Sequence, residues 1–519
     1  MSTTRTVLPQ TRTEVPETRP LLPIWAALAV AAGSGPILDA AFPDGNWWPL
    51  AYVGIALVLI ALIGRRAGTG ALVGFVAGLS FYLCHIEWAS LFLGFLPMTA
   101  LSVLESLFFA LGSMTITLAY RWLPRAFPSA VGRLLLLPVV VAGLWTAREA
   151  IASVWPYGGF AWGRVALSQS ESPIRELFGW LGISGVSFVM VLLVALSIEC
   201  VRSAEVRTLA IAVLAAGLVL VIPAWPTPTE GSMRVLAVQG NGPAGYFDER
   251  EYGDLLRAQL EATQPFVSED VDVVVWPEGA SEYSPLTTQV GANAFDDVSE
   301  TFDAPLVGWA VTERGEEIFN TSILWEAGEG QLDYYDKQHP IPFGEYVPDR
   351  EFWRPFAPDL IDLIGREYTP GTTDTVYNID GVTVGVNICF DISDDTILGN
   401  SVRDGAQIIF AQSNNGDFGF TDESVQQLAI ARIRAMEFGR SVVNISTVGT
   451  SAIIGPDGVT IDHLDDHTVG AMLENVPLSN STTPAAVAGK WIEWLVSALG
   501  LAGLAIGGWR IRNIRVKSK

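Results

Sequence analysis

Long apolar runs fill both ends of this chain and are missing from its middle. Seven of them recur at 21–42, 49–64, 70–88, 97–120, 134–153, 178–200 and 206–224, and an eighth lies at 489–508. A helix needs about 20 apolar residues to cross a hydrocarbon core of about 30 Å, and these runs reach that length or come close to it. The pattern predicts a multi-pass α-helical membrane bundle of about eight spans. The first run follows a polar leader and is succeeded by many others, so it reads as a retained span rather than a cleaved signal peptide.

Between residues 226 and 488 the period changes. Short β-rich runs (MRVLAVQ, VDVVVWP, APLVGWAV, TSILWE, GVTVGVNIC, AQIIFAQ, SVVNIST and SAIIG) alternate with helical stretches at 249–264 and 423–439. That alternation predicts an α/β domain large enough to bury its own core. PAWPTPTEGS leads into it and LSNSTTPAA leads out. The expected organisation is a membrane domain with seven transmembrane helices at 1–225, a catalytic domain at 226–488, and a last transmembrane helix with a basic tail at 489–519.

Charge sharpens this division. Of the 55 acidic and 31 basic residues, 43 and 12 lie between Pro226 and Ala488, so that segment carries about −31 and the rest about +7. So negative a domain excludes nucleic acid as a partner, because phosphate contacts need clustered Lys and Arg. The basic residues mark one side of the bundle: Arg5, Arg12 and Arg19, Arg65 and Arg66, Arg121, Arg125 and Arg133, Arg202 and Arg207, and the tail RIRNIRVKSK. Loops 43–48 and 89–96 have none, and only 154–177, with Arg164 and Arg175, breaks the alternation. By the positive-inside rule the acidic domain is extracytoplasmic and the protein a multi-pass cell-membrane protein. The 154–177 connection reads either as an interfacial or re-entrant loop or as an ordinary external one. Arg148 and Glu149, inside an apolar run, read as an ion pair rather than as charges facing lipid.

Candidate chemistry stands at the ends of strand-like runs. Glu278 follows a strand in VVVWPEG, Lys337 and Glu345 share YYDKQHPIPFGEYVP, and Cys389 ends the run GVNICFD. A carboxylate, an amine and a thiol so placed suit covalent acyl transfer: the carboxylate takes the thiol proton, and the ammonium stabilises the oxyanion. Taken singly, each has a plainer reading, as packing, a turn residue or a solvated charge. Cys84 and Cys200, far from each other and from Cys389, read as small lipid- or helix-facing side chains. His463 and His467 in DHLDDH have a spacing that suits a metal, but a polar turn between short strands is the better reading. His85 and Glu87, beside Trp88, fit an interfacial belt.

In combination, WPEG, DKQHPIPFGEYVP and ICFD resemble the Glu-Lys-Cys motifs of the nitrilase superfamily. Within it, the IPFGEYVP stretch and the later SNNGDFGFTDESVQQLAIARIRAMEFGR are similar to the apolipoprotein N-acyltransferase family, especially its actinobacterial versions. The resemblance implies a nitrilase-like α-β-β-α sandwich inserted between the seventh and eighth membrane helices. It implies Cys389 as nucleophile, Glu278 as general base, Lys337 as oxyanion-stabilising cation, and Glu345 as a supporting carboxylate. It further implies a phospholipid acyl donor and a diacylated lipoprotein acceptor in the bilayer, with no cofactor or metal. A membrane-tethered amidohydrolase and a non-catalytic lipid-binding scaffold are the alternatives. Two departures stand out. Phe390 and Asp391 replace the Tyr and Glu that follow the cysteine in the best-known members, and Phe247 falls where many carry Trp. The loops around Trp353, Phe356 and Leu360 to Ile364 are apolar enough to dip toward the membrane.

Overall fold

The computed structural model describes residues 19–203 and 206–517. Arg5, Arg12 and Lys519 of the basic pattern lie outside the described residues. The bundle begins with α1 (Ile24–Asp39), α2 (Pro49–Leu62), α3 (Ala67–His85), the single turn α4 (Ala89–Leu93), α5 (Phe95–Ala126), α6 (Leu137–Ala152), α7 (Phe178–Ser203) and α8 (Val206–Leu220). The next domain carries β1 (Ser232–Gln239), α9 (Asp254–Thr263), β2 (Val273–Val275), α10 (Gln289–Phe302), β3 (Leu306–Arg314), β4 (Glu317–Glu326), β5 (Gly330–Asp336), α11 (Arg350–Trp353) and α12 (Pro358–Leu363). Its second half holds β6 (Val376–Ile379), β7 (Val382–Ile388), α13 (Asp395–Arg403), β8 (Ile408–Ser413), α14 (Glu423–Phe438), β9 (Ser441–Ser446), β10 (Ala452–Ile454), β11 (Thr460–His463) and β12 (Gly470–Pro477). The chain then closes with α15 (Pro484–Lys517).

A helix stands at each of the eight apolar runs, but the lengths differ. Among the described residues, five helical segments are long and apolar enough to cross a membrane: Ala67–His85, Phe95–Ala126, Gly132–Ala152, Arg175–Ser203 and Pro484–Ile514. The helices α1, α2 and α8 are apolar but have only 16, 14 and 15 residues. At about 1.5 Å per residue they reach about 21–24 Å. Pro23 and Pro49 start α1 and α2, and Gly64, at φ +77°, turns the chain just beyond α2. The apolar run therefore overstates the helix at both ends.

The middle domain is two six-stranded sheets, in orders β12-β1-β2-β3-β4-β5 and β11-β10-β9-β8-β7-β6. In each, three central strands run parallel, β1-β2-β3 and β7-β8-β9, flanked by antiparallel neighbours. Val235 and Ala237 of β1 pack between the sheets against Val386 and Phe410, while Leu236 and Val238 turn to α9 and α10. On the second sheet Ile409 and Ala411 turn to α13 and α14. Strands buried on both faces become continuous apolar runs, which is why the central strands are the ones the sequence predicts. The strands β5, β6, β11 and β12 lie at sheet edges with polar, half-exposed residues, and they carry no such run.

Bundle and domain share one core. The cluster holding α13 and α14 is continuous with the interior of α1 to α7. The 154–177 connection lies between them: Val154 and Trp155 are exposed, but residues 161–170 are buried in short 3-10 turns. It is thus largely an internal wedge rather than an ordinary external loop. Its Arg164 meets Asp395 through Nη1 at 2.9 Å and Nη2 at 3.0 Å. Arg434 of α14 donates to the same carboxylate at 2.6 Å, to the Ile392 and Ser393 carbonyls at 2.9 and 2.8 Å, and to Glu437 at 2.5 Å. The other Glu437 oxygen accepts from the Ile183 amide at 3.2 Å, just after Gly182 breaks α7 at φ +67° and frees that helix-start donor. Arg164 therefore breaks the loop-charge pattern for a structural reason.

Arg148 and Glu149 are both buried and paired at 3.3 Å, in agreement with the ion-pair reading. Glu149 also accepts from Trp145 Nε1 at 2.8 Å and from the Val165 amide at 3.1 Å, which ties α6 to the wedge. The closing helix α15 reaches α6 through Gly143 and Gly500, where an added Cβ would lie 2.4 Å from the Val496 carbonyl or 2.5 Å from Gly143. Small residues allow that backbone contact without lipid between the helices.

Arg434 is fully buried and joins four acceptors. Arg434→Met leaves Glu437 as a buried charge without its partner, so unfolding of the detergent-solubilised protein should show a loss of about 3–5 kcal/mol. A loss below 1 kcal/mol would mean the network is not what fastens the domain.

Candidate active site

Three strand ends of the two sheets meet at one point. Pro277 stops the chain after β2 and sets Glu278 there, Lys337 follows the last residue of β5, and Cys389 follows the last of β7. Lys337 Nζ lies 2.8 Å from Glu345 Oε2 and 3.5 Å from Glu278 Oε1. Asn320 of β4 donates from one Nδ2 to both carboxylates, at 2.7 Å to Glu278 and 2.8 Å to Glu345, and is itself oriented by Trp309 Nε1 at 2.6 Å. The Ile341 amide adds a bond to Glu345 at 2.7 Å. All four expected residues, Glu278, Lys337, Glu345 and Cys389, line one cavity.

Cys389 adopts φ +51°, a left-handed conformation costly for a residue with a Cβ, at the elbow between β7 and a 3-10 turn (Cys389–Ser393). Asp391 holds that elbow. Its carboxylate accepts from the Ile388 amide at 3.2 Å, the His339 amide at 2.9 Å and the Tyr335 hydroxyl at 2.8 Å. The short acid thus has a hydroxyl partner, supplied by β5. Phe390 points the other way and stacks on Trp162 at 5.9 Å and 8° and on Phe160 at 6.2 Å and 12°. The residues flanking the thiol therefore fasten it to both the domain and the wedge.

Burial governs the electrostatics. It pushes the Cys389 thiol well above its ordinary value, with Lys337 opposing and Glu278 adding to the rise. Burial likewise raises Glu278, against the pull of Lys337. Burial disfavours the Lys337 ammonium too, but Glu278 and Glu345 outweigh it and its pKa lies well above the ordinary amine range. One cavity therefore holds a thiol, a carboxyl group and a cation paired with that carboxyl, an arrangement that suits a base and an electrophilic partner serving one nucleophile.

Beyond the polar residues the cavity is apolar, about 1020 Å³, and open between the domain and the bundle. Leu96, Leu101 and Leu104 of α5 form one wall, and Trp353, Leu360 and Ile364 around α11 and α12 form another.

Residues 34–196 match the family described as the apolipoprotein N-acyltransferase N-terminal domain, and residues 237–483 match the carbon-nitrogen hydrolase family. The apolipoprotein N-acyltransferase of Mycolicibacterium smegmatis is 31% identical, over 93% of this chain and 84% of that protein. The chain belongs to the apolipoprotein N-acyltransferase family. The Azotobacter vinelandii member is 28% identical over 95% of this chain and 96% of its own length. Among solved structures, Saccharomyces cerevisiae Nit3, of the nitrilase superfamily, aligns with 48% of this chain and 91% of its own at 18% identity and a TM-score of 0.37.

For this member of the apolipoprotein N-acyltransferase family the other candidates resolve as follows. His467 stacks on Phe420 at 3.9 Å and meets Asp466 at 2.9 Å, and no group of three metal-ligating side chains forms among the described residues. His85 ends α3 as a buried ring, stacked on Phe81 and 3.0 Å from Asp39, and its carbonyl accepts from Gln426 of α14 at 3.4 Å. Cys200 is buried, and Cys84 is partly so. Phe247 is exposed against Phe92, and its neighbour Tyr246 is the one that lines the cavity. Sequence reasoning missed Asn320, Trp309, Tyr335, Glu423 and Gln427. For Asn320 a signal existed, a polar residue in the apolar run IFNTSILWE of a strand otherwise destined for the core.

Asn320→Leu removes a donor from two carboxylates at once, Glu278 buried and Glu345 partly buried. It should lower stability in urea unfolding by about 1–3 kcal/mol, the usual cost of stranding a buried acceptor, and shift Glu278 further upward.

Proposed function

We propose that this chain N-acylates lipoproteins in two steps at Cys389, with a membrane phospholipid as acyl donor. The observation that carries this reading is the convergence of Cys389, Glu278 and Lys337 on a cavity whose far walls are apolar and partly built by a membrane helix. Names of relatives in the family point the same way. A small-amide hydrolase needs neither the apolar volume nor the bundle.

In the first step Glu278 takes the thiol proton as Sγ attacks the ester carbonyl of the donor. Lys337, with its charge secured by two carboxylates, stabilises the oxyanion. The intermediate collapses to a thioester, and Glu278 passes the proton to the departing alcohol of the lysophospholipid. In the second step the α-amino group of a diacylglyceryl-cysteine attacks the thioester, an amide forms, and Sγ leaves as the thiol. Cys389 is 7% exposed, and that burial protects the thioester from water. The supporting roles fall to Glu345, which secures Lys337, and to Phe390 and Asp391, which hold the elbow.

Charge and contacts support an extracytoplasmic site. The domain touches the bundle at the basic-poor ends, where Trp88, beyond α3, and Trp162 both donate to Gln426 at 3.2 and 2.7 Å. Phe352 and Phe356 are exposed beside the cavity mouth, in position to meet lipid. The proposed organisation remains a membrane domain at 1–225, a catalytic domain at 226–488 and a final membrane helix from 489.

Mass spectrometry of the protein purified without reductant or hydroxylamine should find a fatty acyl mass on the Cys389 peptide, absent in Cys389→Ala and lost to a diacylated lipopeptide as an amide. An unmodified Cys389 in wild type and in Glu278→Gln alike sinks the covalent route. Thioester formation also has an acid limb, because the base must be ionised: the rate is present above the Glu278 pKa and lost as pH falls through it. Burial raises that pKa, so the limb should lie above the ordinary glutamate value of about 4.3, as initial rates across pH will tell.

A further inference from the structure

A second acid stands at the thiol and has no part in the steps above. Glu423, the first residue of α14, is buried to 2% exposure and lines the same cavity as Cys389 and Glu278. Its Oε2 accepts from Asn415 Nδ2 at 2.6 Å. Asn415 also donates to Gln427 at 3.1 Å, and Gln427 Nε2 points at Cys389 Sγ at 3.7 Å. Ser446 fixes Asn415 from behind at 2.6 Å. Glu423 is therefore fixed in the hydrogen-bond chain that reaches the sulfur. Yet among the described residues it has no ion-pair partner, and no protein donor reaches its Oε1.

The contrast with Glu278 is chemical. Glu278 has Lys337 beside it to oppose the effect of burial, whereas Glu423 has no cation, and burial with the nearby Glu278 raises it to about 8. The titratable groups facing it are Glu278 and Cys389, with Lys337 behind Glu278. Its neighbour Asp422 turns away toward Asp39, Asp44, His85 and Glu87. A buried carboxyl with no cation of its own fits a ligand that brings one.

The two half-reactions differ by one proton. Thioester formation moves the thiol proton to the leaving alcohol and ends level. Transfer to the acceptor starts from an ammonium, which must lose one proton before it can attack and a second as the amide forms. Only the second is used, on the departing Cys389 sulfur. Glu278 serves one of the two, and the other needs a base of its own.

Resting on the function proposed above, we propose that Glu423 is the acceptor-amine site: its carboxylate pairs with the incoming α-ammonium group and takes the proton that must leave before attack. The free amine then attacks the thioester carbonyl, Glu278 takes the second proton and returns it to Sγ, and Glu423 gives its proton to water. The ammonium supplies the cation that Glu423 lacks, and its nearness favours the charged carboxylate that can then take the proton. The cavity thereby selects a cationic primary amine that arrives on a lipid anchor.

The test separates the half-reactions in full-length Glu423→Gln. Thioester formation from phospholipid vesicles should stay within about twofold of wild type. Transfer to a diacylated lipopeptide at pH 7 should fall about a hundredfold, as for loss of a positioned base, and recover as pH rises through the amine's own titration. Hydroxylamine, a nucleophile neutral at pH 7, should discharge the thioester at the wild-type rate. If the Gln variant does not fold, Glu423→Asp, which withdraws the acid by one methylene, should form the thioester within about twofold of wild type and lose transfer to the lipopeptide, whereas equal losses in both steps overturn the proposal. Wild-type transfer by Glu423→Gln, or a proportional loss of all three rates, overturns the proposal. No thioester in wild type overturns the underlying function instead.

Discussion

A single buried ammonium dictates much of this molecule. Lys337 is 1% exposed, and a lone charge at that depth would be neutralised rather than tolerated. Two carboxylates hold it, and those carboxylates in turn need Asn320 and the Ile341 amide. Asn320 needs Trp309 to fix its orientation. The result is a polar chain running through β3, β4 and three loops inside an otherwise apolar sandwich. A half-satisfied version would be worse than a hydrocarbon core, so its members stand or fall together.

The thiol proposed as nucleophile belongs to a different part of the structure. Cys389 hangs on an elbow whose backbone carbonyls at Ile392 and Ser393 are held by Arg434, with Arg164 from the membrane-side wedge reaching Ser393 as well. Its neighbour Phe390 lies in the aromatic stack of Trp162 and Phe160 from that wedge. The thiol is positioned by the bundle as much as by its own sheet, and Glu278 and Lys337 by the opposite sheet. Acyl chemistry on lipid-anchored substrates gains from this arrangement, because the site forms where the two units and the apolar cavity between them meet.

The departures from the best-known members have local compensation. Phe390 has no hydroxyl, and it trades that for flat stacking on two rings. Asp391 is shorter by a methylene and still collects two backbone amides and the Tyr335 hydroxyl. Elbow geometry is therefore kept by different atoms.

The sequence by itself determined the eight apolar helices, the acidic α/β insert and the three motif residues. Each is a local matter: a run of apolar side chains, a charge count, or a polar residue at the end of a strand-like run. It also marked Arg148 and Glu149 as a pair, since charges in an apolar run have little other option. It overstated the lengths of α1, α2 and α8, because hydropathy continues through the prolines and turns that end a helix. It did not show that the 154–177 connection is buried, because nothing local says that a loop rich in Gly and aromatics lies under another domain. Tertiary structure alone decided that Asn320, Tyr335, Gln427 and Glu423, from β4, β5 and α14, converge on residues up to 145 positions away. The physical reason is that these side chains act through partners brought by sheet pairing and layer packing, and a polar residue in a linear sequence does not carry the address of its partner.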